Sequence, residues 1–351
     1  MSGGVDSSVA ALVLQEQGYE VIGLTITIWP CAEPDSIEAR EDICCSPKHV
    51  NDARAVCKQL GIPFYVADFE KEFEERIVEP FCAEYRRGRT PSPCIVCNEK
   101  VKYELLMRRA ATLDAKAVAT GHYAAVEREG GRFVIRKADD RAKDQSYFLF
   151  SLTQEMLART IWPLHAFTKD ETRRKAKDAG LKVFEKKESQ EICFVADNDY
   201  VGFLKRRVPE AFTPGEIVTT AGKLVGRHDG VCAFTIGQRK GLGVSLGRPQ
   251  YVVGIDATAN RVVIGDEAEL YRKECTASNI NWLAFETLAS PIEAAVRVRY
   301  RAEEKAACIE PLDGGRVRVV FKEPERAVTP GQGAAFYQGD RLIGGGWIDD
   351  F

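Results

Sequence analysis

A chain of 351 residues exceeds what one ordinary hydrophobic core organises, so two or three domains are expected from length alone. The hydrophobic fraction of 45% and charged fraction of 29%, with no apolar run near the ~18 residues of a span, exclude a bundle of membrane helices. The net charge of −3 excludes a uniformly basic nucleic-acid binder and leaves any RNA contact to local clusters. No secretory signal precedes the first motif, so a cytoplasmic setting is expected. In a reducing compartment eleven cysteines serve metal, redox or nucleophilic chemistry, or sit in cores, instead of building a disulfide framework.

The chain opens Ser2-Gly3-Gly4-Val5-Asp6-Ser7-Ser8 and runs into a helical pattern over 7–17 that ends at Gly18. A glycine loop at a helix N-terminus cradles anions: backbone N–H groups approach phosphate oxygens, the helix dipole favours negative charge, and serine hydroxyls add donors. The lysine that a Walker loop places after its second glycine is missing. The SGGxDS string resembles the pyrophosphatase loop (PP-loop) of enzymes that split ATP into AMP and pyrophosphate, in which Asp6 would orient magnesium or pyrophosphate. Such a loop normally follows a central strand, so an apolar segment ahead of Met1 is expected in the natural chain.

A strand is expected from Val21 to Ile28, a helix from Val50 to Leu60 closed by Gly61, and strands over Phe64–Ala67 and Ala117–Thr120. This alternation predicts a parallel sheet covered by helices up to about residue 200. Val126–Arg136, split by Gly130-Gly131, reads as a hairpin, and Thr168 with Glu171 as a capping box opening a helix closed by Gly180. Beyond about residue 210 short alternating strands are separated by glycine turns, as in Tyr251–Ile255, Arg261–Ile264, Val317–Phe321 and Ala334–Tyr337. The expected order is an α/β domain over 1–204, a small β domain over 205–268 and a barrel-like β domain over 269–351.

Two cysteine segments carry the remaining chemistry. Cys94 and Cys97 form a Cys-x-x-Cys ahead of a helix, a spacing that suits one metal, a redox pair, or a thiolate whose pKa falls at a helix N-terminus. Structural zinc needs four ligands, and no second pair stands at finger-like spacing. Cys193 lies in Lys186-Lys187-Glu188-Ser189-Gln190-Glu191-Ile192-Cys193-Phe194, where nearby lysines favour a thiolate or persulfide anion. Arg86, Arg87 and Arg89, then Lys205, Arg206 and Arg207, and Arg297, Arg299 and Arg301 alternating along an expected strand, are the local basic clusters.

These motifs, in this order, resemble the tRNA-specific 2-thiouridylases, which sulfurate the wobble uridine at position 34. The resemblance spans the chain: SGGVDSS, RTPSPCIVCN, TGHYA from Thr120, KDQSYFLF from Lys143, ESQEICF, TIGQRKGLG from Thr235, VRYR from Val298 and TPGQ from Thr329. It implies an adenine nucleotide alpha hydrolase-like PP-loop domain followed by the β domains, with Cys97 as nucleophile and Cys193 as the persulfide carrier. Ser2, Gly3, Gly4, Val5, Asp6, Ser7 and Ser8 would hold ATP with Mg2+, and Ile26 and Gly121 would contact the nucleotide. Ser92, Pro93 and Cys94 would face the target base. Lys143, Asp144, Gln145, His122, Arg299, Tyr300 and Gln332 would touch tRNA. The resemblance further implies lysine, glutamate and glutamine tRNAs as substrates, and a cysteine desulfurase or sulfur carrier as donor.

In many relatives the residue matching Cys94 is an aspartate. A third cysteine admits an iron-sulfur cluster on Cys94, Cys97 and Cys193 with one iron open to sulfide, beside the competing scheme of a persulfide and disulfide relay between Cys193 and Cys97. Two rivals to thiolation are an ATP-dependent ligase or amidotransferase acting on a small carbonyl substrate, which leaves Cys97 and Cys193 idle, and a non-catalytic RNA-binding protein with a structural metal. Cys31, Cys44, Cys45, Cys57, Cys82, Cys232, Cys275 and Cys308 read as core or surface thiols, with a redox role open to Cys44-Cys45. His49, His165 and His228 read as structural or RNA-facing.

Overall fold

The computed structural model describes residues 1–28, 47–186, 192–195 and 198–351. Cys31, Cys44 and Cys45, and Lys187 to Glu191 of the Cys193 segment, lie outside the described residues. The chain forms two units, one of Met1–Ile77, Cys94–Asn198 and Asp340–Leu342, the other of Val78–Pro93, Asp199–Gly339 and Ile343–Phe351.

In the first unit the opening helix spans Val5–Glu16 and buries Val5, Val9, Ala10 and Val13 against Val56, Tyr123, Leu164, Ala176 and Leu181. Strands Gly23–Thr27 and Phe64–Asp68 pair in parallel, Leu24 opposite Tyr65, with helix Pro47–Leu60 between them in sequence. Parallel pairing needs such a crossover, which is why strand and helix patterns alternate here. A second parallel pair joins Val118–Ala119 to Thr160–Ile161. The hairpin runs Ala124–Glu129 and Arg132–Lys137, and Gly130 and Gly131 turn it at φ 55° and 87°. Helix Lys169–Asp178 carries the expected capping box, and Gly180 ends it at φ 69°. Met1 lies against the first strand, its amino group donating to the carbonyl of Leu24 and its carbonyl accepting from Thr25 Oγ1 at 2.6 Å.

A feature that composition does not announce lies on the cysteine helix. Pro93–Cys97 is α-helical, Asn98–Tyr103 has π geometry, and Glu104–Ala111 returns to α. The Cys-x-x-Cys therefore stands inside the first turns of a helix rather than ahead of it. A second π segment, Glu74–Val78, holds Arg76, which pairs with Glu104 at 3.0 Å. π segments are rare and recur at functional sites.

In the second unit, strands Leu224–His228, Gly215–Thr219, Arg261–Gly265 and Tyr251–Asp256 lie in that order in one sheet, with Gly215–Thr219 and Arg261–Gly265 parallel. A six-stranded barrel follows: Tyr271–Trp282, Val317–Arg326, Lys305–Pro311, Ile292–Arg297, Gly333–Gln338 and Arg341–Asp350, the last pairing with the first. Closure leaves no unpaired edge. Alternation places Val296, Ile309, Val319, Phe321, Phe336 and Ile348 inside. The expected arginine strand ends at Arg297, so Arg299 and Arg301 stand in the turn beyond it and not on a strand face. Arg297 is spent on Glu304 at 2.8 Å and on the Tyr337 ring.

Candidate active site

Gly4 caps the first helix with extended backbone, and Gly3 before it has φ 69°. A Cβ on Gly3 would stand 2.3 Å from the His49 carbonyl oxygen, so the position demands glycine for space as well as conformation. Ser7 and Ser8 hydroxyls both donate to the Gly4 carbonyl, at 3.2 and 2.9 Å, and Ser2 and Ser7 hydroxyls lie 3.1 Å apart. The loop is folded on itself with its first-turn amides at a helix N-terminus, the arrangement an anion needs. Gly121 passes so close that a Cβ would lie 2.7 Å from the Asp6 backbone carbon. Ile26 is half-buried on the adjoining strand, opposite Ala67.

Asp6 does not stand alone. Lys169 Nζ donates to both of its carboxylate oxygens at 2.7 and 2.8 Å, and the Tyr123 hydroxyl donates to Oδ1 at 2.9 Å. Lys169 is the first residue of the capped helix and is only 8% exposed. Sequence spacing does not reveal Lys169 or Tyr123 as site residues, because 163 positions separate Lys169 from Asp6. The capping box immediately before Lys169 is the one local signal. Lys186, from the segment that leads to Cys193, donates to the Gly3 carbonyl at 2.8 Å and pairs with Asp52.

Cys94 is exposed, and Cys97 and Cys193 are half-buried. Phe194 is buried and meets Phe73 edge to face at 5.7 Å, which fixes the chain beside Cys193. Asn98, next to Cys97, is 2% exposed and donates to the Phe148 carbonyl at 3.0 Å. Among the described residues, no group of three or more His, Cys, Asp or Glu side chains is arranged to hold a metal ion.

Two of the residues expected to touch tRNA lie in buried networks. Asp144 is 3% exposed, and its oxygens accept from Ala138 N, Ser146 N and Ser146 Oγ, which makes it a loop-shaping residue. His122 is buried, its Nδ1 2.7 Å from Thr120 Oγ1 and its ring stacked on Tyr103. Burial and the nearby Lys102 charge push its pKa well below the usual imidazole value, so the ring is neutral at pH 7. Burial likewise pushes the Tyr103 hydroxyl up to about 12, keeping it a hydrogen-bonding group.

Lys143 and Gln145 are half-buried, with Gln145 Oε1 accepting from Tyr123 N at 3.1 Å. In the second unit Ser92 and Pro93 are buried, Arg299 and Tyr300 are half-buried in their turn, and Gln332 Nε2 donates to the carbonyls of Thr90 and Pro91 at 2.9 and 3.1 Å. The basic cluster before the cysteine pair is ion-paired: Arg86 with Glu210, and Arg87 and Arg89 with Glu84. Cys57, Cys82, Cys232 and Cys275 are buried, as core thiols; burial pushes Cys275 up to about 12.

Three family models match successive stretches: a tRNA methyl transferase HUP domain over residues 1–197, a tRNA methyl transferase PRC-barrel domain over 201–266, and an aminomethyltransferase beta-barrel domain over 272–348. A tRNA-specific 2-thiouridylase MnmA from Geobacter metallireducens is 50% identical over 99% of this chain and 95% of that protein. Its namesake from Acetivibrio thermocellus is 48% identical over 99% and 97%. Among solved structures, the U34-tRNA thiolase NcsA from Methanococcus maripaludis with its [4Fe-4S] cluster matches 60% of this chain and 65% of that one at 19% identity and TM-score 0.34, a likeness too low to bear on the site. With a HUP-domain match over more than half its length and full-length relatives at near 50% identity, the chain belongs to the tRNA-specific 2-thiouridylase family.

Proposed function

We propose that this protein is a tRNA-uridine 2-sulfurtransferase that thiolates the wobble uridine 34 of tRNA at the expense of ATP. The observation that carries the reading is the full-length likeness to 2-thiouridylases at 47–50% identity. ATP lies with its phosphates on the loop Ser2 to Ser8, where first-turn amides of the helix and the Ser2 and Ser7 hydroxyls meet anionic oxygens. Ile26 and Gly121 bound the nucleotide. Asp6 is a single carboxylate of the kind that Mg2+ shares with substrate phosphates, and the bound ion would offset phosphate charge. Lys169, now on Asp6, supplies the cation that the loop itself lacks.

The uridine O2 attacks the α-phosphate, the α–β phosphoanhydride bond breaks, and pyrophosphate leaves. The adenylated base is then electrophilic at C2. The outer sulfur of a Cys193 persulfide bonds to C2. Attack of the Cys97 thiolate on Cys193 Sγ forms the Cys97–Cys193 disulfide and leaves sulfur on the base as AMP departs with the former O2. An external thiol reductant restores both thiols. Unpaired anticodon bases leave their stack at low cost, so C2 reaches the loop. Ser92, Pro93 and Cys94 face the target base, and Lys143, Gln145, Arg299 and Tyr300 contact tRNA. The donor is a cysteine desulfurase or sulfur carrier, the substrates are lysine, glutamate and glutamine tRNAs, and the setting is the cytoplasm. Segments 1–204, 205–268 and 269–351 act as the catalytic, central β and barrel domains.

The test is a tRNA thiolation assay on anaerobically purified protein with parallel iron and sulfide analysis, comparing wild type with Cys94→Ala, Cys97→Ala and Cys193→Ala. Active iron-free protein that tolerates Cys94→Ala but not the other two supports the relay. Stoichiometric iron with dependence on all three thiols would overturn it in favour of cluster-bound sulfide. Undiminished turnover without Cys97 and Cys193 would sink thiolation by this route altogether.

A further inference from the structure

Asp6 is gripped by two residues, and one short stretch of chain carries both. The Tyr123 hydroxyl donates to Asp6 Oδ1 at 2.9 Å and lies 2.9 Å from Thr172 Oγ1. A carboxylate has no proton to give, so the phenol proton sits on the Asp6 side and the Thr172 hydroxyl supplies the proton of the other bond. Tyr123 is 2% exposed and Thr172 is buried, so the phenol takes its partners from the protein. Lys169 Nζ, the second partner of Asp6, stands 5.6 Å from the centroid of the Tyr123 ring. The backbones of both partners are tied to the stretch from Asp140 to Gln145. Lys169 N donates to Asp140 Oδ2 at 3.0 Å. Tyr123 N donates to Gln145 Oε1 at 3.1 Å, and Gln145 N returns to the Tyr123 carbonyl at 2.9 Å. Asp144 shapes that stretch from within, by accepting from Ala138 N, Ser146 N and Ser146 Oγ. All of these residues belong to the first unit.

We propose that Gln145 is a positioning residue for adenylation: by clamping the Tyr123 backbone it sets the phenol that aims Asp6 at the ATP phosphates. The proposal rests on reading Ser2 to Ser8 as the ATP loop. A tyrosine ring is rigid beyond two torsions, so holding its backbone N–H and carbonyl limits where the hydroxyl can stand. The terminal torsion of an aspartate is broad, and the phenol and Lys169 are what hold the Asp6 carboxylate in one setting. The contact with Tyr123 uses the acceptor end of the Gln145 amide. Its N–H pair is the end that RNA would meet, so one side chain serves the tRNA and the ATP site at once. Phosphoryl transfer is governed by placement and charge, with little covalent chemistry left to the protein. A displaced Asp6 therefore shows in the rate of pyrophosphate release rather than in ATP affinity.

The experiment titrates single-turnover pyrophosphate release with ATP and with tRNA in wild type, Tyr123→Phe, Gln145→Ala, Gln145→Glu and Asp6→Asn, each melted in parallel. Tyr123→Phe and Gln145→Ala are expected to keep the ATP half-saturation of wild type and to lower the saturating rate about tenfold or more. Gln145→Glu retains an oxygen for Tyr123 N, so its saturating rate recovers toward wild type, while a carboxylate facing phosphates raises the tRNA concentration needed. If the melt shows Tyr123→Phe unfolded, Gln145→Ala and Gln145→Glu, which alter a half-buried side chain, carry the test. A Gln145→Ala variant that needs more tRNA but reaches the full rate overturns the proposal and leaves Gln145 a tRNA contact alone. A Gln145→Glu variant as slow as Gln145→Ala overturns it too, because the amide donors and not the acceptor would then set the rate. Asp6→Asn at full rate strikes at the reading of the loop, and the proposal falls with it. Asp6→Asn slow beside Tyr123→Phe and Gln145→Ala at full rate overturns the positioning alone.

Discussion

Asp6 and Lys169 show what single residues contribute. An aspartate at a phosphate loop repels the anion it is meant to serve, and Lys169 cancels that charge through two hydrogen bonds within 2.8 Å. Replacing Lys169 by Met is expected to slow pyrophosphate release about 100-fold, the order seen for losing one preorganised donor at developing charge. Lys169→Arg should recover part of it. The assay is single-turnover pyrophosphate release on saturating tRNA. His122 carries a pH prediction. Its folded pKa lies well below the unfolded value near 6.5. The unfolded chain therefore takes up a proton first as pH falls, and stability declines from about pH 6.5 downward, by ~1.4 kcal/mol per pH unit until the folded ring titrates. Above pH 7 the group contributes no pH dependence. His122→Gln should flatten this part of a urea-denaturation stability profile between pH 7.5 and 5, whatever it does to the stability at neutral pH.

The Lys169–Asp178 helix links local capping to chemistry. Thr168 accepts from Glu171 N at 3.2 Å, and Glu171 returns to the Thr168 backbone at 2.8 Å, so the helix start is fixed at the residue before Lys169. Thr168→Ala removes the hydroxyl half of the box. It is expected to cost about 1 kcal/mol in global stability and, because the next residue is the one on Asp6, to weaken ATP binding as well. Calorimetric titration of ATP beside a thermal melt separates the two effects; a melt that shifts with unchanged ATP affinity would show that the cap serves stability alone. This helix, the opening helix and the hairpin are legible in sequence because each is punctuated locally, by Thr168 and Glu171, by Gly4 and Gly18, and by Gly130-Gly131. The π segment over Asn98–Tyr103 is not. Its residues have no composition distinct from an α-helix, and its geometry accompanies tertiary ties such as Asn98 to Phe148 and Arg76 to Glu104.

Across the whole molecule charge is close to balanced, and many arginines are already engaged by carboxylates or carbonyls. Binding of tRNA should therefore depend on salt only through a few phosphate contacts. The slope of log affinity against log salt should be shallow, and Arg299→Gln should reduce it by about one. Filter binding across a potassium chloride series measures this, and an unchanged slope would remove Arg299 from the phosphate contacts. The sequence by itself determined what short-range physics writes: the anion loop, the parallel-to-barrel change of strand pattern, the cap of the lysine helix, and the thiols with reactive spacing. Tertiary structure alone decided which distant residues share a site. Lys169 lies on Asp6, Lys186 on Gly3 and Gln332 on Thr90 and Pro91, while Asp144 and His122 sink into buried networks. Long-range pairing follows from how whole elements bury their apolar faces together, and that is a property of the packed chain, which no local spacing records.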